Sequence, residues 1–167
     1  DNCYCEFVEA KEPTEVGADI IVGSLIKNPG GSLVSNGGYV AGKKQYVDLI
    51  AGRFTSPSLQ KEVGSFESGY RLMFQGLFMA PHIVLQAKKG SLLIGKVMSN
   101  LGYKTIDNTN NLADIVRSII FEDKEDLINL YTSIQRMSPV DSFVTPIPSE
   151  MAGYDSEVVM SAGCFVQ

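Results

Sequence analysis

Ile20-Ile-Val-Gly-Ser24-Leu-Ile-Lys27-Asn-Pro-Gly-Gly31 decides the reading of this chain. A continuous apolar run rich in β-branched residues has the composition of a buried strand, and it ends on a lysine followed by a strong turn signal. Lysine at the lip of a sheet stands where α/β enzymes place their ligands. An amine there becomes a nucleophile once it can lose its proton, and partial burial moves a lysine in that direction. The competing reading is a solvated lysine at a strand end.

Working outward, residues 3–8 read as a strand, with Asp1 opening it, and residues 37–41 (Gly-Gly-Tyr-Val-Ala) as a further short strand. Two neighbouring parallel strands joined by a crossover would bring Asp1 and Lys27 to one ligand. Ser24, three residues before Lys27, offers a hydroxyl that can donate to a phosphate. An aspartate followed by Ser-x-x-Lys suits pyridoxal phosphate, whose protonated ring nitrogen needs a carboxylate partner.

The middle of the chain is helical. Residues 44–54 show helical spacing, and a long apolar helical pattern runs over residues 68–101 with Pro81 inside it, a residue expected to kink or divide the helix. Asn100 and Gly102 give it a stop. In the last third, residues 114–121 and 158–166 read as strands and residues 123–137 as an amphipathic helix whose acidic start suits the helix dipole. The cluster Leu72, Phe74, Leu77 and Phe78 reads as core or subunit interface, and Thr145-Pro-Ile-Pro as a rigid extended linker.

Composition narrows the function classes. The 167 residues are 44% hydrophobic and 20% charged, the profile of a globular chain. A net charge of -5 and scattered basic residues argue against nucleic acid as the partner. No apolar run has the length of a membrane span and no leader is visible, so a cytoplasmic location is expected. The chain opens on Asp1 in the middle of structured sequence, so an upstream portion is expected to be missing. Cys3, Cys5 and Cys164 lack the spacing of a zinc site, and Cys-x-Cys on a strand would turn both thiols to one face. His82 is the only histidine, which argues against a histidine-based metal site or a Ser-His-Asp triad. A generic phosphate binder built on residues 28–32 lacks both a Walker pattern and a Gly-x-Gly-x-x-Gly.

The stretch Asp1-Asn-Cys-Tyr-Cys-Glu-Phe-Val-Glu, with Glu12-Pro-Thr-Glu-Val-Gly-Ala-Asp and Gly23-Ser-Leu-Ile-Lys-Asn-Pro-Gly-Gly, resembles the aluminium-resistance, methionine γ-lyase-related family. So do Asn36-Gly-Gly-Tyr-Val-Ala-Gly, Lys61-Glu-Val-Gly, Phe74-Gln-Gly-Leu-Phe-Met-Ala-Pro-His, Ser138-Pro-Val-Asp-Ser-Phe-Val-Thr-Pro, Met151-Ala-Gly-Tyr-Asp and Ser161-Ala-Gly-Cys-Phe-Val-Gln. The resemblance implies a fold-type I, cystathionine β-lyase-like enzyme dependent on pyridoxal phosphate that cleaves a carbon–sulfur bond in an amino-acid substrate as a homodimer or homotetramer. It makes Lys27 the Schiff-base lysine, Asp1 the partner of the pyridine nitrogen and Ser24 a phosphate contact. The implied fold class is α/β: residues 1–67 end the large cofactor-binding domain, 68–102 form a connecting helix, and 103–167 form an incomplete small α+β domain. Cys5 stands where the family usually has glycine, and the loop Gly31-Ser-Leu-Val-Ser-Asn is more polar than usual. The match covers roughly the last half of a family member. The phosphate-binding turn and the ring-stacking aromatic are therefore expected upstream, and the substrate-carboxylate arginine beyond Gln167. The alternative is a truncated, catalytically inactive chain that keeps the signature without binding the cofactor.

Overall fold

A computed structural model describes residues 1–59, 62, 64, 69–106 and 112–162. Strand β1 (Ile20–Ser24) pairs with β2 (Gly38–Gly42), and helix α1 (Lys44–Phe54) follows. Helix α2 (Arg71–Asn100) is next, then β3 (Lys104–Thr105), β4 (Ile119–Ile120) and helix α3 (Lys124–Met137). Short 3-10 turns occupy Pro13–Glu15 and Asn28–Gly30.

The α/β expectation is corrected here. The described residues form three α-helices and two two-stranded sheets, and both sheets are antiparallel. The chain goes from β1 to β2 through residues 25–37, with Asn28–Gly30 as a 3-10 turn and no crossover helix, so the strands can only return antiparallel. Ile20 faces Gly42 and Ser24 faces Gly38 at the two ends of the ladder. The apolar run of β1 suggested a strand covered on both faces, but it lies half-buried, with Val22 exposed.

Residues 3–8 are not a strand but a succession of turns, with Tyr4 and Phe7 at φ of 70° and 62°. Left-handed backbone at two bulky residues cannot be read from an alternating apolar pattern, because only surrounding contacts hold it. Cys3 and Cys5 therefore do not share a strand face; both are free and half-buried.

Helix α1 begins and ends where its apolar spacing predicts, and α2 runs unbroken through Pro81. The Asn28–Gly30 turn is buried, and Gly31 closes it at φ 53°. A Cβ on Gly31 would collide with the carbonyl of Gly76 in α2, and one on Gly76 with the carbonyl of Gly30. Two glycines thus let the turn and the helix meet backbone to backbone.

The chain divides into two compact units, Asp1–Val97 with Asp107–Arg117, and Met98–Ile106 with Ser118–Gln167, taken over their described residues. In the first, Val8, Val34, Ala80, Val84 and Leu112 are buried. The cluster Leu72, Phe74, Leu77 and Phe78 is not core in this chain: Phe74 is 68% and Phe78 83% exposed. In the second unit Met98 and Val159 are buried. There α3 is capped by Asp123, whose carboxylate accepts from the Glu125 amide at 2.6 Å. The Tyr103 and Phe121 rings lie 4.9 Å apart, and Gln135 bridges the Asp141 carbonyl and the Ala162 amide. Of the long strand expected over residues 114–121, only Ile119–Ile120 forms. Of that expected over residues 158–166, Val158 makes an isolated bridge to Ser149, and residues 163–167, Cys164 among them, lie outside the described residues.

Candidate functional site

Lys27 follows the end of β1, half-buried, with its amide hydrogen-bonded to the Ser24 carbonyl at 3.4 Å. The Ser24 hydroxyl oxygen accepts from the Ile26 amide at 3.3 Å, which leaves its own hydrogen free to donate. Ser24 and Lys27 thus belong to one turn, as their spacing predicts. Asp1 is exposed, and its carboxylate accepts from the Cys3 amide at 2.9 Å. What reaches the Lys27 amine is the segment that follows Asp1: Nζ lies 4.4 Å from the centroid of the Tyr4 ring, a cation–π contact.

That contact sets the electrostatics of the amine. A hydrogen bond with the Tyr4 side chain raises the Lys27 pKa above the ordinary lysine value; burial pulls the other way and is outweighed. The expected depression by burial is therefore present in sign but not in outcome. Lys27 is protonated at neutral pH in this arrangement, with the Tyr4 side chain as its hydrogen-bond partner.

The turn carrying Tyr4 is held by polar bonds, several of them between residues far apart in sequence. The Asn2 amide donates to the Val22 carbonyl of β1 at 2.8 Å. The Glu12 carboxylate accepts from the Asn2 side chain at 3.0 Å and from the Phe7 amide at 3.1 Å. The Asn28 side-chain amide donates to the Glu6 carbonyl at 3.1 Å, and the Tyr39 hydroxyl donates to the Glu6 carboxylate at 2.8 Å. From α2, Lys88 Nζ donates to the Val8 carbonyl at 3.0 Å, and the Ile115 amide donates to the Tyr4 carbonyl at 3.2 Å. Burial pushes the Tyr39 phenol far above its ordinary value; a hydrogen bond with Asn2 pulls it part of the way back, and the hydrogen bond to the Glu6 side chain and the nearby carboxylates push it up again. Burial and then the Asp114 carboxylate push the Cys5 thiol up, so it is not poised as a nucleophile.

Sequence reading missed Tyr4, Glu6, Asn28 and Tyr39. One signal was present: Glu6 stands inside Cys-Tyr-Cys-Glu-Phe-Val, and a lone carboxylate among apolar residues marks a buried, paired acid. His82 is exposed on α2, and no group of three or more metal-ligating side chains occurs among the described residues. A cleft of about 570 Å³ lined by Tyr39, Val40, Val47, Ile50, Phe54 and Tyr70 contains none of Asp1, Ser24 or Lys27. No helix of the described residues is long and apolar enough to cross a membrane.

Lys27 and the Ser24 hydroxyl thus share one turn, with the segment that follows Asp1 folded against the amine. Comparison with known proteins gives the family. The family model described as methionine gamma-lyase matches residues 1–167, and the chain belongs to that family. Among curated relatives, the Bacillus subtilis protein YnbB is 42% identical over 168 residues, which span all of this chain and 40% of that protein. A 33.9 kDa protein from the glnA 5' region of Lactobacillus delbrueckii subsp. bulgaricus is 42% identical over 99% of this chain and 55% of its own length. The chain thus spans between two fifths and just over half of these relatives.

Solved structures agree. A Listeria monocytogenes protein provisionally named cystathionine beta-lyase involved in aluminum resistance superposes with a TM-score of 0.92 at 45% identity, over 100% of this chain and 42% of that one. A Clostridium novyi protein named carbon-sulfur lyase involved in aluminum resistance gives a TM-score of 0.89 at 45% identity, over 100% and 39%.

Proposed function

We propose that this chain contributes the amine-bearing part of a pyridoxal phosphate-dependent carbon–sulfur lyase acting on a sulfur amino acid. The observation that carries the reading is the Lys27 turn: an amine and a donating hydroxyl presented together, with the Tyr4 ring on the amine. Relatives named carbon-sulfur lyase and cystathionine beta-lyase support it.

An amine, a hydroxyl and a carboxylate are the kinds of group such a cofactor needs, which supports the reading. Lys27 would hold its aldehyde, the Ser24 hydroxyl its phosphate and the Asp1 carboxylate its ring nitrogen. When bound, pyridoxal phosphate supplies an electron sink for the pair left behind when a substrate α-proton departs. The remaining work falls to the chain's own side chains. Lys27 must lose a proton before Nζ can attack, and the hydrogen bond to the Tyr4 side chain, which raises its pKa, holds the amine in its charged form until that happens. With the cofactor bound, Nζ would be the base that moves the substrate α-proton. The Tyr4 ring limits the directions from which Nζ can be approached.

The test is made on the protein in the full length in which it is expressed. Mixed with pyridoxal phosphate, it is expected to develop a visible absorbance band that borohydride bleaches, and peptide mass spectrometry should place a pyridoxyl group on Lys27. A Lys27→Ala variant that keeps the same reducible band would show the assignment to be wrong.

A further inference from the structure

Glu6 is a buried acid for which the chemistry above has no use. It is 4% exposed, and its neighbours in the same cluster, Asn2 and Asn28, are 3% and 5% exposed. One carboxylate oxygen, Oε1, accepts from the Tyr39 hydroxyl; the other, Oε2, is buried with no hydrogen-bond partner among the described residues. Burying a carboxylate oxygen unpaired is costly, so the rest of the residue's bonding must keep it there.

That bonding leads to Lys27 along two routes. Through its backbone carbonyl, Glu6 is tied to the side chain of Asn28, the residue immediately after Lys27. Through its side chain, it is tied to Tyr39 of β2, which pairs with Gly23, and Gly23 precedes Ser24. Two positions before Glu6, Tyr4 sits at φ 70° with its ring against Nζ. A bulky residue in that region persists only where its surroundings over-determine it. Glu6 joins the turn that carries Tyr4 to both sides of the turn that carries Lys27.

We propose that Glu6 is a positioning residue for the Lys27 amine: its carboxylate held by Tyr39 and its carbonyl held by Asn28 fix the turn that sets the Tyr4 ring on Nζ. The functional meaning of this rests on Lys27 being the cofactor-bearing amine, but the holding itself is a property of the protein without cofactor. Tyr39 and Asn28 act with Glu6 as the two anchors, and none of the three touches the reacting atoms.

The experiment is competitive amine labelling of the full-length, cofactor-free protein at neutral pH, with formaldehyde and a mild hydride donor below saturation, read residue by residue by mass spectrometry. Glu6→Leu removes the acceptor for Tyr39. Lys27 labelling should rise about two- to five-fold relative to the exposed Lys43 and Lys44, the range released when a surface-accessible cation–π contact is lost. Glu6→Gln keeps an oxygen that accepts from Tyr39 and should stay near the starting rate. Tyr39→Phe keeps the ring and should reproduce the Lys27 increase; if Glu6→Leu does not fold, this variant decides alone. Unchanged Lys27 labelling in the folded variants would overturn the proposal. So would equal acceleration at Lys27, Lys43 and Lys44, because Glu6 would then serve stability and not position. A missing pyridoxyl adduct on Lys27 would defeat the lyase reading while leaving a positive labelling result intact, so the two failures are separable.

Discussion

The turn of residues 3–8 and helix α3 differ in where their ends find support. Besides the longer ties of Gln135 to Ala162 and of Lys124 to Glu157, α3 has local contacts that set its two ends: Asp123 caps the amide of Glu125, acids fill the first turn, and Arg136 lies in the last. In the turn they are remote, with the Glu6 carbonyl held by Asn28, its carboxylate by Tyr39, and the Val8 carbonyl by Lys88. A locally stabilised element can lose one contact and keep its path. A segment with left-handed Tyr4 and Phe7 has no intrinsic preference for its path and depends on every tie. The remote arrangement places the Tyr4 ring on Lys27, and substitutions far away in sequence should be felt at that amine.

The comparison is strained most by Gly31→Ala. Gly31 combines φ 53° with backbone contact to Gly76 of α2, so an added methyl meets both a conformational and a packing penalty. Left-handed backbone costs an alanine about 1–2 kcal/mol and overpacking about 1–3 kcal/mol. We expect a loss of roughly 2–4 kcal/mol in urea unfolding, accompanied by faster Lys27 labelling. A midpoint within error of the parent would mean that the seam between turn and helix does not set the position of the Lys27 turn.

Tyr39→Phe is the intermediate case. It strips the hydrogen bond from a buried carboxylate and is expected to cost about 1–3 kcal/mol at neutral pH. The Tyr39 phenol titrates above its ordinary value in the folded chain, first because it is buried. A raised folded pKa means that the folded state binds more protons. The contribution of Tyr39 is therefore complete below the unfolded value of about 10 and is lost as pH rises through the folded value. The stability gap between parent and variant should narrow above about pH 10. Denaturant melts at neutral and strongly alkaline pH check this, and a gap that widens would reverse the assignment.

The same contrast separates what the sequence revealed from what it concealed. Helix α1 appears at residues 44–54 because helical spacing and the Gly42 break are written into adjacent residues. Ser24 and Lys27 were found together because three residues cannot be far apart. The pairing of β1 with β2 as a hairpin was hidden, since an apolar run does not state which face is covered or which way its neighbour runs. Tyr4 over Lys27 and Tyr39 on Glu6 were hidden as well: each joins residues more than twenty positions apart, and the left-handed backbone at Tyr4 leaves no mark on composition.

The smallest expected effect lies in α3 and is the control for the others. Asp123→Ala removes the cap that satisfies the Glu125 amide, a change worth about 1 kcal/mol at typical capping positions. The helix has other local support in its acidic first turn, so it should fray at its start and keep its register. Thermal unfolding should show a small downward shift. Lys27 labelling should not change, because α3 and the Lys27 turn belong to different compact units and every bond of the Lys27 cluster named above lies within its own unit. Were Asp123→Ala to alter Lys27 reactivity as much as Tyr39→Phe does, the division between locally and remotely stabilised regions would fail, and the amine would be reporting overall stability in place of the turn that holds it.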